Sequence, residues 1–190
     1  MFRSRVLLPV VAFVLACTLV QQPAHAAEAL FFDERGDAPA RIDVERVKVV
    51  HMRQAVRVIV KIRDLRRTEN CLPDRVTVFV DTLRDRVGPE FYGGIGGCHY
   101  TFGGMRRWQS TGPTDPDDPF TDGCRGFRMR YDYRLDRVSM RFPRTRECIG
   151  LPGRVRVSVE TERASESGEP DAVTDWAPQR RTFYPWVQVN

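Results

Sequence analysis

Residues 56–63 read VRVIVKIR, and this stretch decides the fold class. Branched apolar residues occupy positions 56, 58, 60 and 62, whereas basic residues occupy positions 57, 61 and 63. Successive side chains of a β-strand point to opposite faces, so the alternation predicts a strand with one buried and one solvated face. Antiparallel sheets show this pattern, whereas parallel sheets that are covered on both faces do not.

The same period of two continues on both sides of this stretch. It recurs around Val47 and Val49, at 76–80, at 127–133, at 138–142 and at 155–159. Residues 52–54 are short enough to turn the chain back into the 55–65 strand, and Leu135-Asp136 is a second hairpin turn. Helical spacing of apolar residues is missing from these segments. The sequence therefore predicts an all-β, antiparallel β-sandwich of jelly-roll or immunoglobulin-like type, with little helix beyond the signal peptide.

The first 26 residues have the composition of an export signal. Arg3 and Arg5 precede an apolar run from Val6 to Val20, and Ala24-His25-Ala26 provides small residues for signal peptidase. The apolar run is shorter than the roughly 20 residues that a membrane-spanning helix needs. We therefore expect cleavage near Ala26, a secreted protein that is extracellular or associated with the cell envelope, and no membrane span in the mature chain.

A second reading of the same segment is a lipoprotein. Val14-Leu15-Ala16 precedes Cys17, which would then be lipidated. The apolar run continues through Thr18-Leu19-Val20 instead of turning polar, which favours cleavage at Ala26. The remaining chain shows no internal repeat and no second composition. We expect a flexible leader over 27–40 and one β-sandwich domain over 41–190.

Charge gives little indication of a partner. The chain has 30 basic and 25 acidic residues, for a net charge of +5, and loss of Arg3 and Arg5 with the signal lowers it to +3. Acidic and basic residues are interleaved, whereas proteins that bind nucleic acid cluster their basic residues. No nucleic-acid partner is expected.

Four cysteines remain after cleavage: Cys71, Cys98, Cys124 and Cys148. An even number in an exported chain predicts disulfides, and the lack of a C-x-x-C pair disfavours the alternative of a zinc site. With a turn at Leu135-Asp136, residues whose numbers sum to about 271 face each other across the hairpin. This register predicts a Cys124–Cys148 bridge and leaves Cys71 to pair with Cys98.

Two groups of residues are candidates for ligand binding. Asp33, Asp37 and Asp43 form a D-x-x-G-D-x₅-D pattern whose carboxylates suit calcium, although Asp and Gly are also ordinary turn formers. Tyr100 and Trp108 lie between a glycine-rich segment, 93–97, that predicts a tight loop and an acidic, proline-rich loop, 110–123. Function concentrates on loops held by a rigid scaffold, so these two aromatic residues are the candidate ligand site.

The two remaining tryptophans, Trp176 and Trp186, are expected to pack against the domain. The sequence has no G-x-S-x-G nucleophile motif and no phosphate-binding G-x-x-x-x-G-K-[ST] motif. We therefore expect no cofactor and lean against an enzyme.

A resemblance to a known family rests on short motifs. They are Gly36-Asp37, Ile42-Asp43, the long strands of 44–65, TVFVDT at 77–82, GPEF at 88–91 and DWAP at 175–178. With these motifs the chain resembles the DOMON-type and family-nine carbohydrate-binding sandwich domains, and also small secreted actinobacterial proteins of unassigned function. The resemblance implies a jelly-roll-like sandwich that binds sugars or, in some DOMON domains, haem.

These observations predict a secreted, non-catalytic binding domain whose ligands include cell-envelope glycans. A structural or regulatory envelope protein with a protein partner is the first alternative. A hydrolase with an unrecognised site is the second.

Overall fold

The structure, a computed structural model, describes residues 26–67, 74–85, 88–95, 126–163 and 173–189, and this part of the chain is all β. The ten strands are β1 (Ala27–Phe32), β2 (Val44–His51), β3 (Ala55–Ile62), β4 (Asp74–Asp81), β5 (Phe91–Ile95), β6 (Arg128–Asp132), β7 (Arg137–Pro143), β8 (Arg154–Arg163), β9 (Val173–Ala177) and β10 (Val187–Gln188). In these residues we find no helix with the length and apolar character that a membrane crossing requires.

The strands form two antiparallel sheets that pack together. The first sheet has the order β1-β2-β3-β7-β6. In the second sheet β8 is central, with β4 and then β5 on one side and with β9 and β10 on the other. The predicted antiparallel β-sandwich is therefore confirmed.

The core lies between the inward faces of the two sheets. It consists mainly of the alternating valines that the sequence pattern singled out, such as Val58 and Val60 in β3 and Val78 and Val80 in β4, all fully buried. Arg57, between Val56 and Val58, points outward and is exposed, and Phe79, between Val78 and Val80, is partly exposed. Each valine side chain that leaves water contributes about 1.5–3 kcal/mol, so period-two burial stabilises both sheets.

The β2–β3 hairpin has the predicted turn at residues 52–54, closed by a 2.9 Å hydrogen bond from the Met52 N–H to the Ala55 carbonyl oxygen. The register of the β6–β7 hairpin differs from the prediction. Asp132 pairs with Arg137, so partner numbers sum to 269. The turn has four residues because the Asp132 carboxylate accepts from the Leu135 N–H and Asp136 adopts a left-handed φ of 48°.

The predicted flexible leader is wrong for its first part. Residues 27–32 form β1, which pairs with residues 46–51 of β2. Ala27, Ala29 and Phe31 alternate inward and pack against the core, and Phe31 stacks on Tyr184 with ring centroids 4.5 Å apart. Because these alternating side chains are partly buried against the core, residues 27–32 belong to the sandwich.

The predicted loop at 93–97 is also wrong where the chain is described. Gly93 and Gly94 lie in β5 and pair with Val78 and Thr77 of β4. A Cβ atom on Gly93 would lie 2.7 Å from Phe127 Cζ and 2.9 Å from Phe142 Cε1. Glycine is needed here because two aromatic rings of the core contact the strand backbone.

Candidate functional site

Most residues that the sequence predicts to bind a ligand or to form a disulfide lie outside the described part of the chain. They are Tyr100, Trp108, Cys71, Cys98 and Cys124. Cys148 is buried in the turn that follows β7 and not in the β6–β7 ladder. The register argument for a Cys124–Cys148 bridge therefore does not hold, and the pairing itself stays a prediction.

The outer face of the second sheet carries three adjacent aromatic rings, which we call the aromatic strip: Trp176, Phe79 and Tyr92. The Phe79 and Trp176 rings are stacked, with centroids 5.5 Å apart and planes within 9° of each other. Tyr92 faces Phe79 across the β4–β5 pair, with ring centroids 6.3 Å apart. All three side chains are partly exposed, so the strip presents an apolar surface to solvent.

The strand register explains why the strip forms. Phe79 pairs with Ser158 of β8, and Trp176 pairs with Glu160 two residues further along the same strand. Both positions therefore face outward, and the small Ser158 side chain allows the two rings to meet above it. Ser158 is buried, and its hydroxyl donates to the Ala177 carbonyl oxygen at 3.5 Å.

Charged groups border the aromatic strip. Glu160 lies between Thr77 of β4 and Trp176 of β9 in the outward-facing register. Burial raises the pKa of Glu160, and the nearby Arg75 partly opposes that shift. Arg75 also forms an ion pair with Glu162, the next outward acid on β8. The strip thus combines flat apolar rings with hydrogen-bonding groups.

Trp186 lies at the other end of the same sheet in a different environment. The guanidinium groups of Arg154 and Arg156 lie 5.2 Å and 4.7 Å from the centroid of its ring. Arg156 also contacts the Phe183 ring and forms a 2.5 Å ion pair with the fully buried Asp81. Trp186 therefore packs against two arginine side chains, whereas Trp176, which the sequence also predicts to pack against the domain, lies partly exposed in the aromatic strip.

The motifs behind the family resemblance have structural roles. Asp81, in the TVFVDT segment, accepts a hydrogen bond from the Leu83 N–H. Glu90, in the GPEF segment, is buried and accepts from the Thr82 N–H at 2.7 Å and from the Thr82 hydroxyl at 3.2 Å. These contacts fix the end of β4 next to the start of β5.

Two of the three predicted calcium ligands belong to a carboxylate cluster. Asp33, Asp37 and Asp175 each offer one oxygen, and these oxygens lie within 4.8 Å of one another. Asp43 is fully buried beside the cluster, where its Oδ2 accepts from the Gly36 N–H at 3.0 Å and lies 3.5 Å from Arg63 Nη1. The sequence pattern does not indicate Asp175 as a ligand, because this residue is distant from Asp33 and Asp37 along the chain.

The carboxylates of the cluster disfavour one another's ionisation. Burial, then Asp175 and Asp37, raise the pKa of Asp33 to about 7. Burial also raises the pKa of Asp175 to about 6, with Asp37 and Asp43 adding to the effect and the Val44 N–H opposing it. Ionising all of these carboxylates together is therefore costly without a compensating cation.

Comparison with known proteins gives no family. No protein-family model matches the chain, and no curated protein shows significant similarity to it. The resemblance to DOMON-type and family-nine carbohydrate-binding domains stays a prediction.

Proposed function

We propose that this protein is an exported, non-catalytic binding domain that binds glycan chains of the cell envelope through the aromatic strip. The observation that carries the proposal is the partly exposed stack of Phe79 on Trp176, with Glu160 directly beside it. The binding surface is the outer face of the second sheet, whose rings are held by strand pairing.

The chemistry of sugars matches this surface. A pyranose ring has apolar C–H faces and a rim of hydroxyl groups, so it stacks on aromatic rings and donates hydrogen bonds to carboxylates. The strip crosses β9, β8, β4 and β5. Its ring centroids lie 5.5 Å apart for Trp176 and Phe79 and 6.3 Å apart for Phe79 and Tyr92, so the three rings together cover more than one sugar ring. We therefore favour an oligosaccharide or polysaccharide over a monosaccharide.

The arrangement favours binding over hydrolysis. Glycoside hydrolases place two carboxyl groups on either side of the bond that they cleave. Glu160 borders the strip, but Glu162 is engaged in an ion pair with Arg75. A rigid sheet with rings already in place also lowers the entropic cost of binding, which suits a domain that acts by affinity.

Export is part of the proposal. Cleavage after Ala26 would leave β1 intact, since that strand begins at Ala27. N-terminal sequencing of protein recovered from outside the cytoplasm should begin at Ala27. A lipid-modified Cys17 at the N-terminus would contradict this site and establish the lipoprotein alternative.

The direct test of glycan binding is affinity electrophoresis in gels that contain isolated cell-envelope polysaccharides. We expect Trp176→Ala to weaken retardation, with a loss of about 1–1.5 kcal/mol, or roughly tenfold in affinity. Trp186→Ala is the matched control, because this ring lies at the other end of the sheet and contacts two arginines instead of the strip. Equal retardation of the wild-type protein and the Trp176 variant would contradict the proposal.

A protein partner is the second candidate, and one observation favours it. Leu30 and Phe32 are 48% and 69% exposed on β1, the edge strand of the first sheet. Edge strands and exposed apolar side chains together suit strand addition by another chain. If capture of an envelope protein is lost in Phe32→Glu and kept in Trp176→Ala, this second function replaces the glycan proposal.

A further inference from the structure

We propose that Asp33, Asp37 and Asp175 form a calcium site that joins the turn after β1 to strand β9. This site is separate from the aromatic strip and does not depend on glycan binding. It differs from the ligand set expected from the sequence, because Asp175 is a ligand and Asp43 lies behind the site.

The first support is the geometry of the donor atoms. Calcium–oxygen distances of about 2.3–2.6 Å allow two ligands of one ion to lie up to roughly 5 Å apart. The three carboxylate oxygens fall within that limit, since none is more than 4.8 Å from another. Magnesium, with bonds of about 2.0–2.1 Å, allows a spacing of only roughly 4.2 Å between two ligands.

The second support comes from buried polar atoms around the cluster. Tyr184 is only 5% exposed, and its hydroxyl has no hydrogen-bond partner among the described residues. This hydroxyl lies close enough to Asp33 and Asp175 for their charges to add to the effect of burial in raising its pKa. Asp43 is fully buried, and its Oδ1 also has no partner in the described part.

A bound calcium ion would bring hydrogen-bond partners to the Tyr184 hydroxyl and to Asp43 Oδ1. Calcium takes six to eight oxygen ligands and commonly keeps water among them. A coordinated water could bond to the Tyr184 hydroxyl or to Asp43 Oδ1, because buried polar groups are usually satisfied by protein or water. Asp37 is exposed, so the ion can enter from solvent.

The donor set also selects the class of ion. All three ligands are carboxylates, which favour hard cations, whereas zinc and copper sites in proteins draw on histidine and cysteine. The charges that act on Asp33 are those of Asp175, Asp37 and Asp43, and all of them are negative. A divalent cation would relieve this repulsion and allow the carboxylates to ionise.

Calcium binding would stabilise the contact between the two sheets. Asp33 and Asp37 follow β1 of the first sheet, whereas Asp175 belongs to β9 of the second. An ion that binds only the folded arrangement shifts the folding equilibrium toward the native state. We therefore expect the protein to unfold at a higher temperature in calcium than in chelator.

The test is isothermal titration calorimetry of the purified, chelator-treated protein with calcium chloride near neutral pH, together with thermal unfolding. We expect one calcium per chain and a rise in the unfolding temperature. Asp37→Asn should weaken binding by about tenfold or more, because ligand charge sets calcium affinity. Asp37 is exposed, so this variant keeps its fold.

Asp85→Asn is the matched control, since Asp85 is an exposed aspartate outside the cluster. It should bind calcium like the wild-type protein. The assignment is overturned by the absence of both binding heat and thermal stabilisation, by unchanged affinity in Asp37→Asn, or by magnesium that binds as tightly as calcium. None of these outcomes affects the glycan proposal, because glycan binding is measured separately by the retardation of Trp176→Ala in polysaccharide gels.

Discussion

The Asp175 carboxylate accepts a 2.7 Å hydrogen bond from the backbone N–H of Val44, which lies 131 residues earlier in the chain. This buried contact joins β9 of the second sheet to the start of β2 in the first. A neighbouring bond, from the Thr161 hydroxyl to the Ile42 carbonyl oxygen at 2.5 Å, ties β8 to the same segment. The segment 42–44, which leads into β2, is thus held against the second sheet from two strands.

The Asp175–Val44 contact predicts different effects for two substitutions. Asp175→Ala leaves the buried Val44 N–H without an acceptor and should lower the free energy of unfolding by about 1–3 kcal/mol. Asp175→Asn keeps an oxygen acceptor and removes a buried charge, so in chelator it should lose less stability than the alanine variant. Urea unfolding measures both. Equal stabilities of the two variants would show that the hydrogen bond contributes little.

The pKa of Asp33 predicts a pH-dependent effect of Asp33→Asn in chelator. Folded Asp33 keeps its proton up to about pH 7, whereas the unfolded chain loses it near 3.8. Between these values the folded state binds more protons, so the contribution of Asp33 to stability falls as the pH rises. The asparagine variant should therefore be more stable than the wild type above neutral pH, and the difference should shrink toward pH 5.

The wild-type protein and Asp33→Asn must be compared because His51 changes the stability of both with pH in the opposite direction to Asp33. Burial lowers the pKa of His51, so the unfolded state binds its proton first and stability falls on acidification. His51 is common to both proteins and cancels in the difference. A stability difference that stays constant from pH 5 to pH 8 would contradict the environment described for Asp33.

Because Gly93 lies against two aromatic rings, a single methyl group added at this position should strongly lower the stability of the domain. A Cβ atom would lie under 3 Å from Phe127 and Phe142, so Gly93→Ala should destabilise the domain by about 1–3 kcal/mol. Gly153→Ala is the control, because no atom lies within 4 Å of its added Cβ. Chemical denaturation should separate the two variants. Similar stabilities would mean that β5 does not pack against these rings.

The ion pair between Arg156 and Asp81 predicts a large loss on truncation of the arginine. Asp81 is fully buried and Arg156 is 28% exposed. Arg156→Ala would leave the carboxylate uncompensated and should cost about 3 kcal/mol, the lower end of the range for buried pairs. Among the described residues, the side-chain contact that Arg154→Ala removes is the cation–π contact with Trp186, so this variant should cost about 0.5–1 kcal/mol. A smaller loss for Arg156→Ala than for Arg154→Ala would refute this assignment.

Period-two patterns made the antiparallel sandwich predictable because the alternation of buried and exposed side chains in a strand can be recognised from residues that are adjacent in sequence. The alternating valines of β3, β4 and β8 each bury one face, and no distant residue is needed to recognise them. The short β1 was missed because only three inward residues carry its pattern. The sequence predicts a loop at Gly93, whereas the reason for this glycine is a tertiary contact with Phe127 and Phe142 that no local pattern reveals.

The candidate sites were less predictable because both combine residues that are distant in sequence. Asp33 and Asp37 share a recognisable turn, but Asp175 joins them only through the packing of β9 against the first sheet. The strip depends on the register of β8, which brings Trp176 next to Phe79. No spacing along the chain indicates that pairing.

Chemical-shift mapping by heteronuclear NMR tests most directly whether glycans bind to the outer face of the second sheet. The titrant is a fragment of a polysaccharide that retards the protein in the gel assay. It should shift the NMR signals of the Trp176 indole N–H and of the backbone amides of Phe79, Tyr92 and Glu160. The Trp186 indole and the amides of β1 should not move. Shifts that concentrate on β1, with an unperturbed Trp176, would contradict the account.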